Sequence, residues 1–253
     1  MEVFKNIFRD FTAPYLKNTG NGKLNDFQLK LDHSYDVYEN SQEICRSLNL
    51  DDQFAETIQI AALFHDTGRF PQYKKYGTFK DSDSCNHATL GVRYILRKKM
   101  LDSLPADKCK IILGAIALHN RNKIPEFTPE KIKFAAKIIR DSDKIDILKV
   151  LLSHMKNIKP LSSVALMGLK DIPDQITESV ICAVENKHQA DYLDMQCVND
   201  FRLLILSWAY DLNFKWSRQE MLKRGYVDHI FKQLPKKKRI IDLYQPITEQ
   251  LNS

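Results

Sequence analysis

Four histidines and two aspartates stand in the order His33, His65, Asp66, His87, His119 and Asp143, where helices would present apolar faces. Ile132, Ala136, Ile139, Asp143, Ile147 and Val150 follow the helical repeat, so Asp143 takes the place of an aliphatic residue. His119 bears the same relation to Ile112, Ala115 and Ile116, and His33 lies in line with Val37, Ile44 and Leu48. The stripe Phe54, Ile58, Ala61, Ala62 runs on into His65, and His87 shares a face with Gly91 and Tyr94. One inward histidine is most simply a hydrogen-bonded core residue. A buried carboxylate, however, must be paired or metal-bound, and six such groups on five helices point to a metal centre. Imidazole and carboxylate without thiolate suit Fe, Mn, Co or Zn better than Mg or Ca, and argue against a structural zinc site. Six ligands are enough for two ions with one carboxylate bridging, and open positions would hold water or hydroxide, the chemistry of metal-assisted hydrolysis.

The elements that must position these groups read as helices nearly throughout. Glycine is scarce, at 8 of 253 residues, and amphipathic stretches rich in Leu, Ile, Ala, Lys and Glu recur. Helices are predicted at 1–17, 32–48, 51–65, 87–99, 105–119 and 128–155, with a turn-rich stretch at 18–22. The connection 67–86 is far longer than is usual between helices and reads as a functional loop. Residues 156–175, with Pro160, Gly168 and Pro173, read as a linker or irregular crossing. Further helices follow, and Phe201, Leu204, Ile205, Trp208 and Leu212 form a packing stripe. The expected organisation is an N-terminal helix and turn (1–28), a metal-binding core (29–155) and a C-terminal helical extension packed on it (156–253). The fold class is all-α.

Composition narrows the function classes. With 38 Lys and Arg against 32 Asp and Glu, the net charge of +6 is mild and dispersed, apart from Arg97-Lys98-Lys99 and Lys236 to Arg239. No nucleic-acid polymer is expected as a partner, because such binders concentrate charge on one face. Cys45, Cys85, Cys109, Cys182 and Cys197 are odd in number and scattered, which predicts reduced, mostly buried thiols. Lys5, Arg9 and Asp10 interrupt the first 17 residues, so neither a signal peptide nor a membrane span is predicted. The expected location is the cytoplasm, and the sequence leaves the oligomeric state open.

An HD dipeptide alone carries no weight, but the run of motifs does. Over residues 29–155 the chain resembles the HD-domain superfamily of metal-dependent phosphohydrolases. The resemblance rests on His33, Ala61-Ala62-Leu63-Phe64-His65-Asp66-Thr67-Gly68-Arg69, His87-Ala88-Thr89-Leu90-Gly91, Ala115 to His119 and Ile138 to Asp146. The two extra histidines mark the binuclear branch. The resemblance implies an HD helical bundle in which His33, His65, Asp66 and Asp143 hold one metal, and Asp66 bridges to a second held by His87 and His119. It implies two divalent transition-metal ions, Fe or Mn first, with Co, Ni or Zn as alternatives. The Gly-Tyr-Pro tripeptide of the HD-GYP cyclic-dinucleotide phosphodiesterases is missing, since Asn120-Arg121-Asn122-Lys123-Ile124-Pro125 follows His119.

The activity this implies is hydrolysis of a nucleotide or other small phosphate ester through a metal-activated hydroxide, by a phosphomonoesterase or phosphodiesterase. Asp66, Arg69 and Lys144 are the expected catalytic residues, with Arg69 and Lys144 beside the ligands as phosphate contacts. Lys74, Lys75 and Arg121 on adjacent loops are further candidate substrate contacts, each with a plain surface charge as the alternative. Tyr73, Tyr76 and Phe79 would either stack on a base or close the loop onto the core. Mixed-valent di-iron oxygenases of the same superfamily, which cleave C–C or C–P bonds, share the ligand set and stay open as an alternative. A non-catalytic HD ligand-binding module is the third reading. His154 is expected in the core or behind a ligand, His188 and His229 on helix surfaces, and Asp146 either orients a ligand or joins a salt bridge.

Overall fold

The computed structural model describes residues 1–17, 21–156 and 169–253, the side chains of 21–23 and 150–156 excepted. Among the described residues the regular structure is helical, and the only β pairing is an isolated bridge between Lys170 and Cys197. The chain divides into two compact units, Met1–Asp146 and Ile147–Ser253, with the division inside one long helix.

Unit 1 holds all six candidate ligands and contains α1 (Glu2–Lys17), α2 (Asn21–Ser47), α3 (Asp52–Phe64), α4 (Arg69–Tyr76), α5 (His87–Arg97), α6 (Ala106–Leu118) and the first part of α7 (Glu130–Lys156). Asp51 caps α3 by accepting from the Phe54 N–H at 2.9 Å, and Asn86 caps α5 by accepting from the Thr89 N–H at 2.9 Å. Helices α2, α3 and α6 pack together around Ile44, Ile58, Ala61, Ala62, Ile112 and Ile116, all fully buried. Helix α1 closes this core with Phe8, whose ring meets Phe64 at 5.7 Å and Phe70 at 6.0 Å. Such aromatic pairs add about 0.5–1.5 kcal/mol each beyond their burial.

Two elements differ from the sequence reading. Helix α2 begins at Asn21, eleven residues before the predicted start at 32. The Asn- and Gly-rich turn signal is outweighed by burial of Phe27, which stacks on Phe70 at 6.1 Å and meets Tyr73 edge-on at 5.2 Å. Residues 18–20 of the predicted turn lie outside the described residues. The long 67–86 connection contains helix α4, and it reads as loop because of Pro71. That proline falls in the first turn of α4, where its missing N–H costs no helical bond. Gly77, at φ 68°, ends the helix in the left-handed conformation that glycine adopts without strain. Of the cysteines, Cys45 and Cys197 are buried and the other three half-exposed, so fewer are buried than predicted; all five are free thiols.

Unit 2 contains α8 (Glu178–Glu185), α9 (Val198–Ser207), α10 (Lys215–Lys223), α11 (Tyr226–Gln233), α12 (Lys238–Ile241) and α13 (Tyr244–Asn252). The predicted stripe Phe201, Leu204, Ile205, Trp208 and Leu212 is buried throughout, although α9 gives way to a 3-10 turn at Trp208–Tyr210. Asp200 ties the start of this unit together: its carboxylate accepts from the Thr177 N–H and hydroxyl at 2.7 and 2.6 Å and from the Gln196 and Cys197 N–H groups at 2.9 and 3.1 Å. Most of the predicted 156–175 crossing, residues 157–168, lies outside the described residues, as does the His154 side chain. His188 is exposed beyond the end of α8 rather than on a helix, and His229 is half-buried on α11. Among the described residues, no helix is long and apolar enough to cross a membrane.

Candidate metal centre

Each of the six groups is delivered by the end or inner face of a helix. His33 projects from α2, His65 is the C-cap of α3, Asp66 follows it, His87 opens α5, His119 caps α6 and Asp143 lies on α7. The helices bring His33, His65 and Asp143 into one group, and His65, Asp66 and His119 into a second, with ligand atoms within 4.8 Å of one another in each. His87 joins the second group, with its Nε2 3.3 Å from Asp66 Oδ1 and 3.0 Å from His119 Nε2. All four histidines are buried, as is Asp66, while Asp143 is half-buried.

The approach of α5 depends on two glycines. A Cβ on Gly68 would lie 2.0 Å from the His87 carbonyl oxygen and 2.6 Å from Gly91 N, so only glycine lets the turn after Asp66 touch the start of α5. Gly91 contributes the other half of this contact, with a Cβ there falling 3.1 Å from Gly68 N.

Hydrogen bonding sets the tautomers. The Nδ1 of His65 faces the Ala62 carbonyl at 2.8 Å, that of His119 faces the Ile116 carbonyl at 2.7 Å, that of His33 faces Asp146 Oδ2 at 2.5 Å, and that of His87 lies 2.8–2.9 Å from both Asp81 oxygens. Each partner is an acceptor only, which assigns a proton to Nδ1; in a neutral ring this leaves an Nε2 lone pair pointing into the cluster. Burial pushes His65, His87 and His119 down to about 4, so all three are neutral at pH 7. Burial and Lys30 also press on His33, but the Asp143 and Asp146 carboxylates outweigh them and raise it to about 9. The same carboxylates that favour a proton there favour a cation in its place. Asp66 would be raised by burial, yet Lys30, the neighbouring imidazoles and Arg69 hold it well below the usual carboxylate range; Asp143, beside His33, is likewise depressed.

A divalent cation fits this donor set. Two neutral imidazoles facing each other through Nε2 lone pairs 3.0 Å apart repel unless a cation lies between the lone pairs. Two nitrogens bound cis to one ion at 2.0–2.1 Å sit roughly 3 Å apart. His33 Nε2 and His65 Nε2 are buried without a hydrogen-bond partner. His33 Nε2 is 3.1 Å from Asp143 Oδ1, but outside hydrogen-bond geometry, so both atoms face a common point rather than each other.

The cations distribute unevenly. Arg69 Nε stands 3.5 Å from Asp66 Oδ1, while its Nη1 is held by Gln72 Oε1 at 3.0 Å, Asp81 Oδ1 at 2.9 Å and the Phe79 carbonyl. Lys144 is buried on α7 next to Asp143. Lys74 and Lys75 are exposed and lie over the Tyr15 and Tyr76 rings, and exposed Arg121 offers its carbonyl to Arg140. Tyr73 turns inward, stacking on Phe79 at 4.4 Å and donating to Asp26, whereas Tyr76 is exposed.

Three groups at the site escaped the sequence reading. Lys30 Nζ lies 2.8 Å from Asp66 Oδ2, one helical turn before His33; that spacing is the signal that could have revealed it. Asp81 and Asn120 sit behind His87, and no periodicity marks a loop residue. Asp146, read as either a ligand orienter or a salt-bridge partner, stands behind His33.

A family model described as HD domain matches residues 31–162, just over half of the chain. No curated protein and no solved structure matches it. The helical bundle, the convergent histidines and carboxylates and the family match agree: the chain belongs to the HD domain family, within a superfamily of metal-dependent hydrolases that bind divalent metals.

Proposed function

We propose that this protein is a phosphohydrolase that uses two divalent transition-metal ions, iron or manganese first, to hydrolyse a nucleotide or another small phosphate ester. The observation that carries the reading is the convergence of four Nε2 atoms on Asp66 and Asp143, with Lys30 and Arg69 placed at the same Asp66 carboxylate. Bound there, the ions would supply an activated water and a counter-charge for the phosphoryl oxygens.

The chain's own residues do the rest. The Nδ1 partners of the four histidines fix ring orientation, and in the neutral rings of His65, His87 and His119 they keep Nε2 deprotonated, while at His33 a bound cation would take the place of the Nε2 proton. Lys30, 19% exposed at its side chain, is the compact charge at Asp66, and Arg69, at 17%, the planar one. Phosphate oxygens entering beside Asp66 would meet both, so these two are the phosphate contacts we assign first, with Lys144 next. Burial of the imidazoles keeps bulk water from competing for their lone pairs.

The test is phosphate release from a panel of nucleotides and phosphoesters by protein reconstituted with Mn, Fe or Co, beside Asp66→Ala. Turnover in the wild type that vanishes in the variant is expected. Silence across the panel with iron bound would transfer the reading to a di-iron oxygenase, which uses the same ligand set.

A further inference from the structure

The loop between α4 and α5 reaches the metal centre through one side chain. Asp81 accepts from Arg69 Nη1 at 2.9 Å, Gln72 Nε2 at 2.9 Å, His87 Nδ1 at 2.8 and 2.9 Å, the His87 backbone N–H at 3.4 Å and Asn120 Nδ2 at 3.2 Å. Every atom facing it is a donor. A carboxylate has about four lone-pair sites to offer them, whereas an amide would turn its own N–H groups toward a donor. The neighbouring acid Asp83 differs: it is exposed and pairs with Lys80 at 3.3 Å.

We propose that Asp81 is a positioning residue for the second metal position: by holding the proton of His87 on Nδ1, it aims the Nε2 lone pair at the point shared with His119 and Asp66. This rests on the two-ion reading above. The geometry is what carries it. His119 and His65 have their tautomers set by backbone carbonyls of their own helices, which the fold supplies. His87 opens α5, where no preceding helical turn can offer a carbonyl, so its Nδ1 partner must come from outside the helix. The loop delivers that partner and is itself pinned: Gln72 donates to Ser84 Oγ at 2.8 Å and the Cys85 carbonyl at 2.9 Å, and Arg69 donates to the Phe79 carbonyl. Removing the carboxylate leaves Nδ1 opposite the amide of Asn120, 3.5 Å away, which can donate to it. The imidazole would then carry its proton on Nε2, and its ligand atom is lost.

Two measurements test this. Metal stoichiometry and affinity by chelator competition are compared among wild type, His87→Ala, Asp81→Asn and the loop control Asp83→Asn. Two ions are expected in wild type and Asp83→Asn and one in His87→Ala. In Asp81→Asn the second ion should bind about 10–100-fold more weakly. Independently, the nitrogen chemical shifts of His87 in the metal-free wild-type protein should report Nδ1–H, with a shift toward Nε2–H in Asp81→Asn. If Asp81→Asn holds two ions with wild-type affinity, the role assigned to Asp81 is wrong. Nε2–H on His87 in the wild type would overturn it as well, and needs no variant to fold. A wild type that takes one ion would instead overturn the two-ion reading, and the tautomer measurement would still decide for or against Asp81.

Discussion

Gly68→Ala should damage both stability and metal binding, and Gly91→Ala should damage neither. The new Cβ at position 68 would stand 2.0 Å from the His87 carbonyl oxygen and 2.6 Å from Gly91 N, both rigid backbone atoms. Ordinary carbon–oxygen contact begins near ~3.2 Å, so the start of α5 must retreat by about 1 Å, an overpacking strain at the upper end of the usual ~1–3 kcal/mol. For a chain of this size about 3 kcal/mol lowers the melting temperature by roughly 6–12 °C. The same retreat carries His87 away from His119, against a tolerance of about 0.2 Å for metal ligands. At Gly91 the added Cβ is 3.1 Å from Gly68 N and asks for a few tenths of an ångström. That small strain is offset by the ~1 kcal/mol that alanine gains over glycine inside a helix. Thermal melting and metal stoichiometry of the two variants side by side provide the assay. A Gly68→Ala protein that melts with the wild type and binds two ions would refute the claim that this backbone contact positions His87.

Two further outcomes are expected. Asp146→Ala removes the acceptor 2.5 Å from His33 Nδ1 and should weaken metal binding about 10–100-fold in chelator competition; unchanged affinity would show that His33 is oriented by α2 alone. For Asp200, burial raises the pKa, but the hydroxyl and N–H of Thr177, the N–H of Gln196 and the side chain of Cys197 outweigh it and hold the carboxyl below its usual value. Its contribution is therefore complete above the unfolded value of about 3.9 and is lost as pH falls from there through the folded value. Acid unfolding of Asp200→Asn should accordingly show a shallower loss of stability below about pH 4 than the wild type, and an equal slope would exclude Asp200 as a source of acid sensitivity.

Much of this was legible in the residues because burial and polarity conflict so rarely. A histidine or aspartate in register with Ile112, Ile116, Ile139 or Ile58 is costly unless something binds it, so periodicity exposed the four histidines and Asp143 with the helices that carry them, and Asp66 followed from its place beside His65 in the His-Asp motif. Helices α3, α5, α6 and α7 were placed for the same reason, aided by Asp51, Pro105 and Pro129 at their starts. Where local signals opposed tertiary packing, the local signals misled. The Asn–Gly stretch suggested a turn, but buried Phe27 extends α2 back to Asn21, and Pro71 concealed α4 because a first-turn proline and a helix-breaking proline look alike in one dimension.

What the chain determined by itself is the donor set: which imidazoles and carboxylates must face inward, and hence that a divalent cation is the economical way to satisfy them. Tertiary structure alone decided what stands behind each donor. Asp81 and Asp83 are equivalent acids two residues apart in a loop, yet one meets His87, Arg69, Gln72 and Asn120 while the other pairs with Lys80 at the surface. Lys30 and Lys74 are equivalent cations on helices, yet one touches Asp66 and the other lies over Tyr15. Helical periodicity records which face is buried. The partner of a polar atom is set by distances between segments far apart in the chain, and those exist only once the helices have packed.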